Sequence, residues 1–386
     1  MTVLAAPALD APSLLVVLPA PAGAGAPPPE TMIAGLPLLR RIVLAAGRAG
    51  FDRVLVHPRA CPEPRLLEGT GASLLGADSL SGAPGRLVLL PANVLPQARW
   101  LRGLREMPLE PGTPAVDPSG AATVDGVEGG ELLRSAGVGG PDPIAELSRR
   151  RPRVAPDGDP AGRFPLLGAD GTKAAEDWLL QSLIKDTEGF MSRHVERRIS
   201  LALTRRLVGT SITPNAMTLV SLAVGLLGAP FFLSADPLRQ VTGSLLFLTH
   251  SILDGCDGEL ARLKFLESPA GARLDFWGDN LVHVAVFACM AIGWSVAAGA
   301  AWPLVLGALA VTGTAAAAVL VSRRSAAAPT ASTARLAEAV ANRDFIYLVV
   351  LLACFGRAHW FLTLVALGTP IFMLLVRWGA RRRQTS

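Results

Sequence analysis

The pattern of apolar and polar positions divides the chain into two parts. Before about residue 140, short apolar runs at 14–19, 53–58 and 86–92 are bounded by Pro or Gly and predict β-strands. Residues 37–50 have apolar positions at helical spacing and end in Gly, so a helix is expected between the first two strands. Strand, helix and strand in this order predict a small soluble α/β domain over residues 1–140.

A change of composition follows this first part. Residues 141–172 are rich in Pro, Gly, Asp and Arg, have no apolar period, and predict a linker. From residue 173 to about 209, apolar and charged positions alternate at helical spacing. This pattern predicts a helix that lies in the membrane interface, with a solvated helix of a soluble protein as the alternative.

Beyond Thr213 the chain is dominated by apolar runs. The six runs are 216–233, 238–261, 274–298, 300–321, 344–356 and 360–376. Most of them approach the roughly 20 residues that cross a bilayer, and the fifth is the shortest. The fold class predicted for the chain is therefore mixed. A six-helix transmembrane α-bundle within residues 173–386 follows the soluble α/β domain.

Composition and charge agree with a membrane protein. Hydrophobic residues make up 51% of the 386 residues, and the net charge is +5. Lys and Arg fall mainly in alternate loops between the runs, which predicts a multi-pass protein of the inner (cytoplasmic) membrane with both termini on the cytoplasmic side. One Tyr and few basic segments interleaved with aromatics argue against nucleic acid as a partner.

Four aspartates lie where the second and third apolar runs meet. Asp254 and Asp257 are three residues apart, and Asp275 and Asp279 are four apart, so each pair occupies one face of its helix. A short loop joins the two helices, which would bring all four carboxylates together. Carboxylates at membrane depth are costly and mark functional sites by default.

The chemistry of four adjacent carboxylates favours a divalent cation. Unpaired carboxylates repel one another, and one or two cations would turn this repulsion into a ligand cage. Ligation by oxygen alone indicates Mg²⁺ or Mn²⁺, which bridge phosphate oxygens in phosphoryl transfer. Gly258 and Gly271 would let a ligand approach the backbone, Ala261 lies one turn from Gly258, and Arg262 offers a fork for phosphate.

These positions together form a specific pattern. Asp254-x-x-Asp257-Gly258-x-x-Ala261-Arg262, eight residues, Gly271, three residues, Asp275, three residues and Asp279 resembles the motif of the CDP-alcohol phosphotransferases, also called CDP-alcohol phosphatidyltransferases. Upstream, Thr213-Pro214-Asn215 and Thr218 resemble a further stretch of that family. The resemblance covers about residues 175–380.

The resemblance implies a reaction and a set of roles. Asp254, Asp257 and Asp275 would bind two Mg²⁺ or Mn²⁺ ions, and Asp279 would be a ligand and the general base, so that Asp275 and Asp279 lie at the catalytic centre. The residues expected to border the CDP moiety are Gly258, Ala261, Arg262, Gly271, Pro214, Asn215 and Thr218. The expected partners are a CDP-linked lipid donor, such as CDP-diacylglycerol, and an alcohol acceptor.

Several points remain open at this stage. The acceptor alcohol is undetermined, and a soluble CDP-alcohol is an alternative donor. Arg323 and Arg324 are candidates for binding an acceptor phosphate, although they also fit a purely topological role as cytoplasmic charges. Family membership further implies a homodimer and a part in phospholipid biosynthesis, with CMP as the released product.

The front domain resembles a nucleotidyltransferase in residues 33–56. An active domain of that type needs basic residues in the turn after its first strand and an acidic metal ligand after a later strand. Here the first turn, residues 20–30, has no Lys or Arg, and Ala92 and Asn93 stand where the acid is needed. The sequence therefore predicts an inactive domain. The alternative is a bifunctional enzyme whose front domain makes a CDP-alcohol from CTP.

Two other functions would also place carboxylates in apolar helices. An ion-coupled transporter is expected to carry them near mid-membrane, usually in two repeated halves. A membrane phosphohydrolase would use the same metals with water as the acceptor. A single cluster near one end of two helices favours the transferase over the transporter.

Overall fold

The computed structural model describes residues 12–23, 25–80, 85–109, 112–136, 142–149, 153–154, 160–168, 171–184, 189–324 and 344–369. Within it the chain forms two compact units, Met1–Gln181 and Ser182–Ser386.

A mainly parallel sheet is the centre of the first unit. Its strands are β1 (Ser13–Leu18), β4 (Arg53–Val56), β5 (Ser73–Leu74), β6 (Arg86–Pro91), β8 (Ala115–Val116), β9 (Ala122–Asp125) and β10 (Arg153–Val154), in the order β10-β8-β9-β6-β1-β4-β5. β1 pairs in parallel with β4 and β6, and β9 runs antiparallel to β6. The three predicted strands are β1, β4 and β6.

Five helices accompany the strands of this unit: α1 (Leu38–Ala49), α2 (Ala98–Glu106), α3 (Gly126–Ala136), α4 (Pro143–Arg149) and α5 (Gly171–Gln181). The predicted helix between the first two strands is α1, so the βαβ unit and the α/β class of this region are confirmed. α1 ends at Gly50, whose φ of 84° places it in the left-handed region that favours glycine.

A buried arginine fixes the turn in front of α1. The hairpin β2 (Met32–Ile33) and β3 (Leu36–Pro37) turns through Ala34 and Gly35 with φ of 44° and 80°. Arg41 is 2% exposed and donates hydrogen bonds to the carbonyl oxygens of Ile33 and Ala34. Burial lowers the pKa of its guanidinium to about 10. Arg41 therefore acts as a structural residue in this turn.

Part of the predicted linker lies within the first unit. β10 pairs with β8, and β11 (Arg163–Pro165) pairs with β7 (Val94–Pro96). Arg163 Nε lies 2.6 Å from Asp117 Oδ1, and Ala34 N donates to Glu176 of α5. These strands are two or three residues long, so they have no apolar period that the sequence could display. The boundary between the two units consequently lies after Gln181, later in the sequence than the change of composition near residue 141.

Helices make up the second unit. They are a π-helical turn Ser192–Glu196 followed by α6 (Arg197–Leu207), α7 (Pro214–Gly228) with a 3₁₀ turn Ala229–Leu233, α8 (Pro237–Lys264), α9 (Pro269–Ala298), α10 (Trp302–Arg324), and the helices Phe345–Cys354 and Trp360–Thr369. The helical pattern expected from 173 to 209 is divided, since α5 belongs to the first unit and α6 to the second.

Among the described residues, three helical segments are long and apolar enough to cross a membrane: Pro214–Leu233, Pro269–Ala298 and Trp302–Arg323. α8 has 28 residues, but it carries the charged residues of the site and is less apolar. Each of the six predicted runs contains a helix in the described part of the chain. The described part of the sixth run ends at Thr369.

The starts of α7, α8 and α9 are capped in the same way. Thr213, Asp236 and Ser268 are the N-cap residues, and the side chain of each accepts a hydrogen bond from a backbone N–H of the first turn. Proline follows at the first helical position in all three helices. α8 ends at Phe265, with φ of 57°. Only 265–268 therefore separate α8 from α9, which sets the ends of these helices side by side.

Close backbone contacts bring these helices together. A Cβ on Gly228 would lie 3.2 Å from the carbonyl oxygen of Gly243, and a Cβ on Gly243 would lie 3.0 Å from that of Gly228. Small residues at such positions let helices approach closely. The apolar core beneath includes Phe247, Val282 and Val286. Together α7, α8 and α9 form the frame that holds the aspartates.

Candidate active site

Three of the four aspartates converge at the junction of α8 and α9. One carboxylate oxygen each from Asp254, Asp257 and Asp275 lies within 4.8 Å of the other two. Asp254 and Asp257 are each 5% exposed, and Asp275 is half-buried. The three-residue spacing on α8 and the short 265–268 turn produce this convergence, which includes three of the four aspartates that the sequence pattern suggested.

The donor set of this cluster fits a divalent cation. Among the described residues, Oδ1 of Asp275 is buried and has no hydrogen-bond donor. Three carboxylates so close together repel one another unless protons or cations intervene. Oxygen ligands without sulfur or imidazole suit Mg²⁺ or Mn²⁺ better than zinc. Asp254, Asp257 and Asp275 could therefore hold a divalent metal ion.

Thr218 on α7 orients one of these carboxylates. Its hydroxyl donates a hydrogen bond to Oδ2 of Asp257. The hydroxyl oxygen of Thr218 also lies 3.2 Å from the carbonyl oxygen of Pro214. Pro214 is the first residue of α7, and Thr218 is one turn further along on the same face. A donor that fixes a ligating carboxylate is a recurrent feature of metal sites.

Asp279 lies one turn beyond Asp275 on α9 and outside the three-carboxylate group. Its Oδ1 is 3.5 Å from Nε2 of His250, a buried residue of α8. Nδ1 of His250 lies 2.9 Å from the carbonyl oxygen of Ser221. The fourth aspartate thus has an imidazole beside it.

At two of the motif glycines, the lack of a side chain lets a polar side chain lie close to the backbone. A Cβ on Gly271 would lie 2.9 Å from Oδ1 of Asn215, and a Cβ on Gly258 would lie 3.3 Å from Nη1 of Arg262. The backbone N–H of Gly271 donates to Ser268, the cap of α9. The structure therefore joins the predicted residues of α7, α8 and α9 in one place.

The remaining predicted residues have simpler surroundings. The carbonyl of Ala261 accepts a hydrogen bond of 2.9 Å from the backbone N–H of Leu266 and so helps to end α8. Arg323 is exposed at the end of α10 and makes no ion pair with the aspartates in the part of the chain that the structure describes. The side chain of Arg324 lies outside the described residues.

Three polar residues near the aspartates have contacts that the sequence does not predict. Glu259 is fully buried and accepts hydrogen bonds from α6, His250 lies beside Asp279, and Lys264 Nζ donates to the carbonyls of Thr210 and Ile212. Each is an ionisable group within or at the end of an apolar run, and this signal could have identified them.

Carboxylates from two adjacent helices form a group that could hold a divalent cation through oxygen ligands alone. The described part of the same unit contains three helical segments that are apolar enough to cross a membrane. Residues 211–372, which include every predicted site residue, match the family described as CDP-alcohol phosphatidyltransferase. This segment of the chain is therefore similar to the family that the motif indicates.

Curated relatives agree with this assignment. The chain is 35% identical over 144 residues to the "Bifunctional IPC transferase and DIPP synthase" of Rubrobacter xylanophilus, covering 36% of this chain and 32% of that protein. It is 38% identical over 120 residues to the protein of the same name from Thermococcus kodakarensis, covering 31% and 27%. The "CDP-diacylglycerol--serine O-phosphatidyltransferase" of Mycobacterium bovis is 32% identical over 101 residues, covering 24% and 34%.

The chain spans about a third of the length of these relatives. A crystal structure of phosphatidylinositol phosphate synthase from Mycobacterium tuberculosis with CDP-DAG bound aligns with 47% of this chain and 94% of its own, at 18% identity and a TM-score of 0.35. A score of this size carries no argument about the site.

Proposed function

We propose that the second unit is a metal-dependent CDP-alcohol phosphotransferase. It would transfer a phosphatidyl or other substituted phosphoryl group from a CDP-linked donor, with CDP-diacylglycerol as the first choice, to an alcohol, and release CMP. The observation that carries this proposal is the convergence of three carboxylates within 4.8 Å inside the segment that matches the family. Phospholipid biosynthesis is the context in which such a reaction belongs.

Each aspartate has a role in this proposal. Asp254, Asp257 and Asp275 would hold one or two Mg²⁺ or Mn²⁺ ions, which when bound offset the negative charge of the donor's phosphates. Asp279 is the proposed general base, because it lies one turn from Asp275 on the same face of α9. The acceptor oxygen bonds to the β-phosphorus as its proton passes to Asp279, and the bond from that phosphorus to the CMP oxygen breaks.

The nucleotide pocket is proposed between the starts of α7 and α9 and the end of α8. Gly271 faces Asn215 closely enough that a side chain would crowd it, and Thr218 binds Asp257. The guanidinium of Arg262 lies close to the backbone of α8 at Gly258. These contacts support a site in which CDP lies next to the metal ligands. Arg323 and Arg324 remain proposed contacts for an acceptor phosphate.

The six-span topology is also a proposal. Three helical segments meet the length and composition of a span, α8 supplies a fourth of sufficient length, and Phe345–Cys354 and Trp360–Thr369 are shorter apolar helices. The alternation of basic loops supports an inner-membrane protein with both termini and the active site on the cytoplasmic side. A homodimer is proposed from family membership alone.

The front unit is proposed to be an inactive nucleotidyltransferase-like domain over residues 1–140, followed by a linker over 141–172 and the membrane domain over 173–386. Asn93 follows β6 where an acidic metal ligand is needed, and its Nδ2 lies 3.4 Å from the carbonyl of Leu166. The two relatives from Rubrobacter xylanophilus and Thermococcus kodakarensis are named bifunctional enzymes, which supports the alternative of a two-activity enzyme.

CMP release by the purified full-length chain tests the transferase. With CDP-diacylglycerol, Mg²⁺ or Mn²⁺ and a panel of acceptors (glycerol phosphate, inositol phosphate, serine and choline), we expect CMP only when donor, metal and a suitable acceptor are all present. Release that is equally fast without any acceptor would indicate a hydrolase. No release under any condition would contradict the proposed reaction and leave a transporter as the better interpretation.

A further inference from the structure

The carboxylate of Glu259 is the most completely enclosed acidic group near the site. Glu259 is 0% exposed and lies on α8, two residues after Asp257. Nη1 of Arg197 lies 2.8 Å from its Oε1, and Ser200 and Thr204 donate hydroxyl hydrogen bonds of 2.7 and 2.6 Å to its two oxygens. All three donors belong to α6.

α8 is shaped to receive α6 on the same side. Gly255 lies one turn before Glu259, and a Cβ there would lie 3.1 Å from Nη1 of Arg197 and 3.6 Å from Cβ of Ser200. The thiol of Cys256 also lies 3.5 Å from the carbonyl oxygen of Ser200. Gly255, which has no side chain, and the buried carboxylate of Glu259 together fix one position of α6 along α8.

Stability alone does not account for an ion pair at this place. Removing two charges from water costs several kcal/mol per ion, and replacement of a buried pair by apolar side chains is often neutral or stabilising. Loss of one partner, by contrast, leaves an uncompensated buried charge. The arrangement therefore defines a geometry more than it adds stability.

This geometry extends to the candidate active site. α6 continues through 208–213 into α7, and Lys264 at the end of α8 donates to the carbonyls of Thr210 and Ile212 at 2.7 and 2.9 Å. α7 then provides Thr218, which donates to Asp257. The segment from α6 to α7 is thus tied to α8 at three points, namely Glu259, Lys264 and Asp257.

We infer that Glu259 is a positioning residue for the metal and nucleotide site. It holds α6, and through the 208–213 connection it holds the start of α7, so that Thr218 meets Asp257 and Asn215 meets Gly271. Glu259 itself touches neither metal nor substrate. The inference rests on the proposed function, because it concerns the same site.

Five variants of the full-length protein test this inference. Glu259→Gln and Arg197→Gln each remove the ion pair, and a double variant combines these two changes. Arg197→Lys keeps a positive charge within reach of Glu259, and Arg198→Gln removes the exposed neighbouring arginine as a matched control. Hydrogen exchange of the α6 amides reports the attachment of α6 without any need for catalysis. Two measurements report whether the site is intact. They are the affinity for Mn²⁺, measured by electron paramagnetic resonance, and the KM for CDP-diacylglycerol.

Glu259→Gln and Arg197→Gln should accelerate exchange in α6 and weaken Mn²⁺ binding. Both should raise the KM for the donor between about tenfold and about a hundredfold, because a displacement near 1 Å remote from the chemistry has effects of that order. The double variant should be no worse than either single variant, since both remove one interaction. Arg197→Lys should recover most of the loss, and Arg198→Gln should resemble the wild type.

Unchanged α6 exchange, Mn²⁺ binding and KM in Glu259→Gln would overturn the inference while leaving the proposed function intact. A loss of folded protein with unchanged KM and Mn²⁺ binding in the folded fraction would also overturn it, because Glu259 would then be structural only. A wild-type protein that neither binds Mn²⁺ nor releases CMP would instead contradict the proposed function, and this inference with it.

Discussion

Single hydrogen-bond donors decide how the carboxylates of the site are oriented. Thr218 is the donor to Asp257, and it comes from a different helix. The sequence motif predicts which carboxylates converge, because their spacing fixes a helical face. It does not predict the partners of Glu259 or His250, since those partners lie on helices whose relative positions no periodicity encodes.

Thr218→Val removes the donor to Asp257 with little change of volume. We expect the affinity for Mn²⁺ to fall by about 10–100-fold, the usual effect of losing a partner that orients a ligand. Titration with Mn²⁺ would measure this. Thr249→Val is the matched control, because Thr249 is exposed on α8 and donates only to the carbonyl of Leu245. Equal affinities in the two variants would show that Thr218 does not orient Asp257.

Gly271→Ala tests the proposed nucleotide pocket. The new Cβ would lie 2.9 Å from Oδ1 of Asn215 and 3.1 Å from Oγ of Ser268, so the Asn215 side chain must move. We expect the KM for CDP-diacylglycerol to rise by about tenfold. Gly103→Ala is the control, since Gly103 is exposed on α2 and no atom of another described element lies within 4 Å of a Cβ at that position. An unaltered KM in Gly271→Ala would exclude this region from the pocket.

At the scale of elements, helix starts were readable from the sequence. Cap residues followed by proline begin α7, α8 and α9, and the bounds of these helices lie within a few residues of the predicted apolar runs. β1, β4 and β6 were predictable because each lies in an apolar run of six or seven residues that is bounded by Pro or Gly. β10 and β11 were not, since two or three residues have no measurable period.

Gly293→Ala tests the packing of α9 against the turn Ala229–Leu233. A Cβ on Gly293 would collide with the carbonyl oxygen of Phe232 and lie 2.8 Å from the carbonyl carbon of Leu233. Because backbone cannot give way easily, we expect a loss of about 1–3 kcal/mol in stability, seen as a lower temperature of thermal inactivation.

Gly368→Ala is the comparison for this packing test. In the part of the chain that the structure describes, no neighbouring element has an atom within 4 Å of a Cβ on Gly368, which is helical and exposed. Alanine favours a helix by up to about 1 kcal/mol over glycine, so this variant should be as stable as the wild type or more stable. Equal stability of the two variants would contradict the close contact at Gly293.

At the scale of the whole molecule, the two units differ in what their chemistry supports. The second unit combines a family match with a carboxylate cluster. In the first, Arg41 and Arg163 are engaged in structural contacts. The sequence has Asn93 where an active nucleotidyltransferase would need an acid, whereas the structural role of Arg41 could not be predicted without the turn at Ala34 and Gly35.

The full-length protein should not make a CDP-alcohol from CTP and an alcohol phosphate. The reason is the absence of basic residues in the turn after β1 and of an acidic residue at Ala92 or Asn93. Chromatography of reactions with CTP, Mg²⁺ and a panel of alcohol phosphates would measure the product. A CDP-alcohol that depends on the protein would show that the front unit is active and favour the bifunctional alternative.

The most direct test of the four-aspartate mechanism is CMP release by Asp254→Asn and Asp279→Asn in saturating donor, acceptor and Mg²⁺. Asp236→Asn, at the other end of α8, is the control because asparagine also caps helices well. We expect CMP release to fall by about 10²-fold or more in the two site variants, the lower range of a lost general base, and to persist in the control. Wild-type turnover in either site variant would contradict the mechanism.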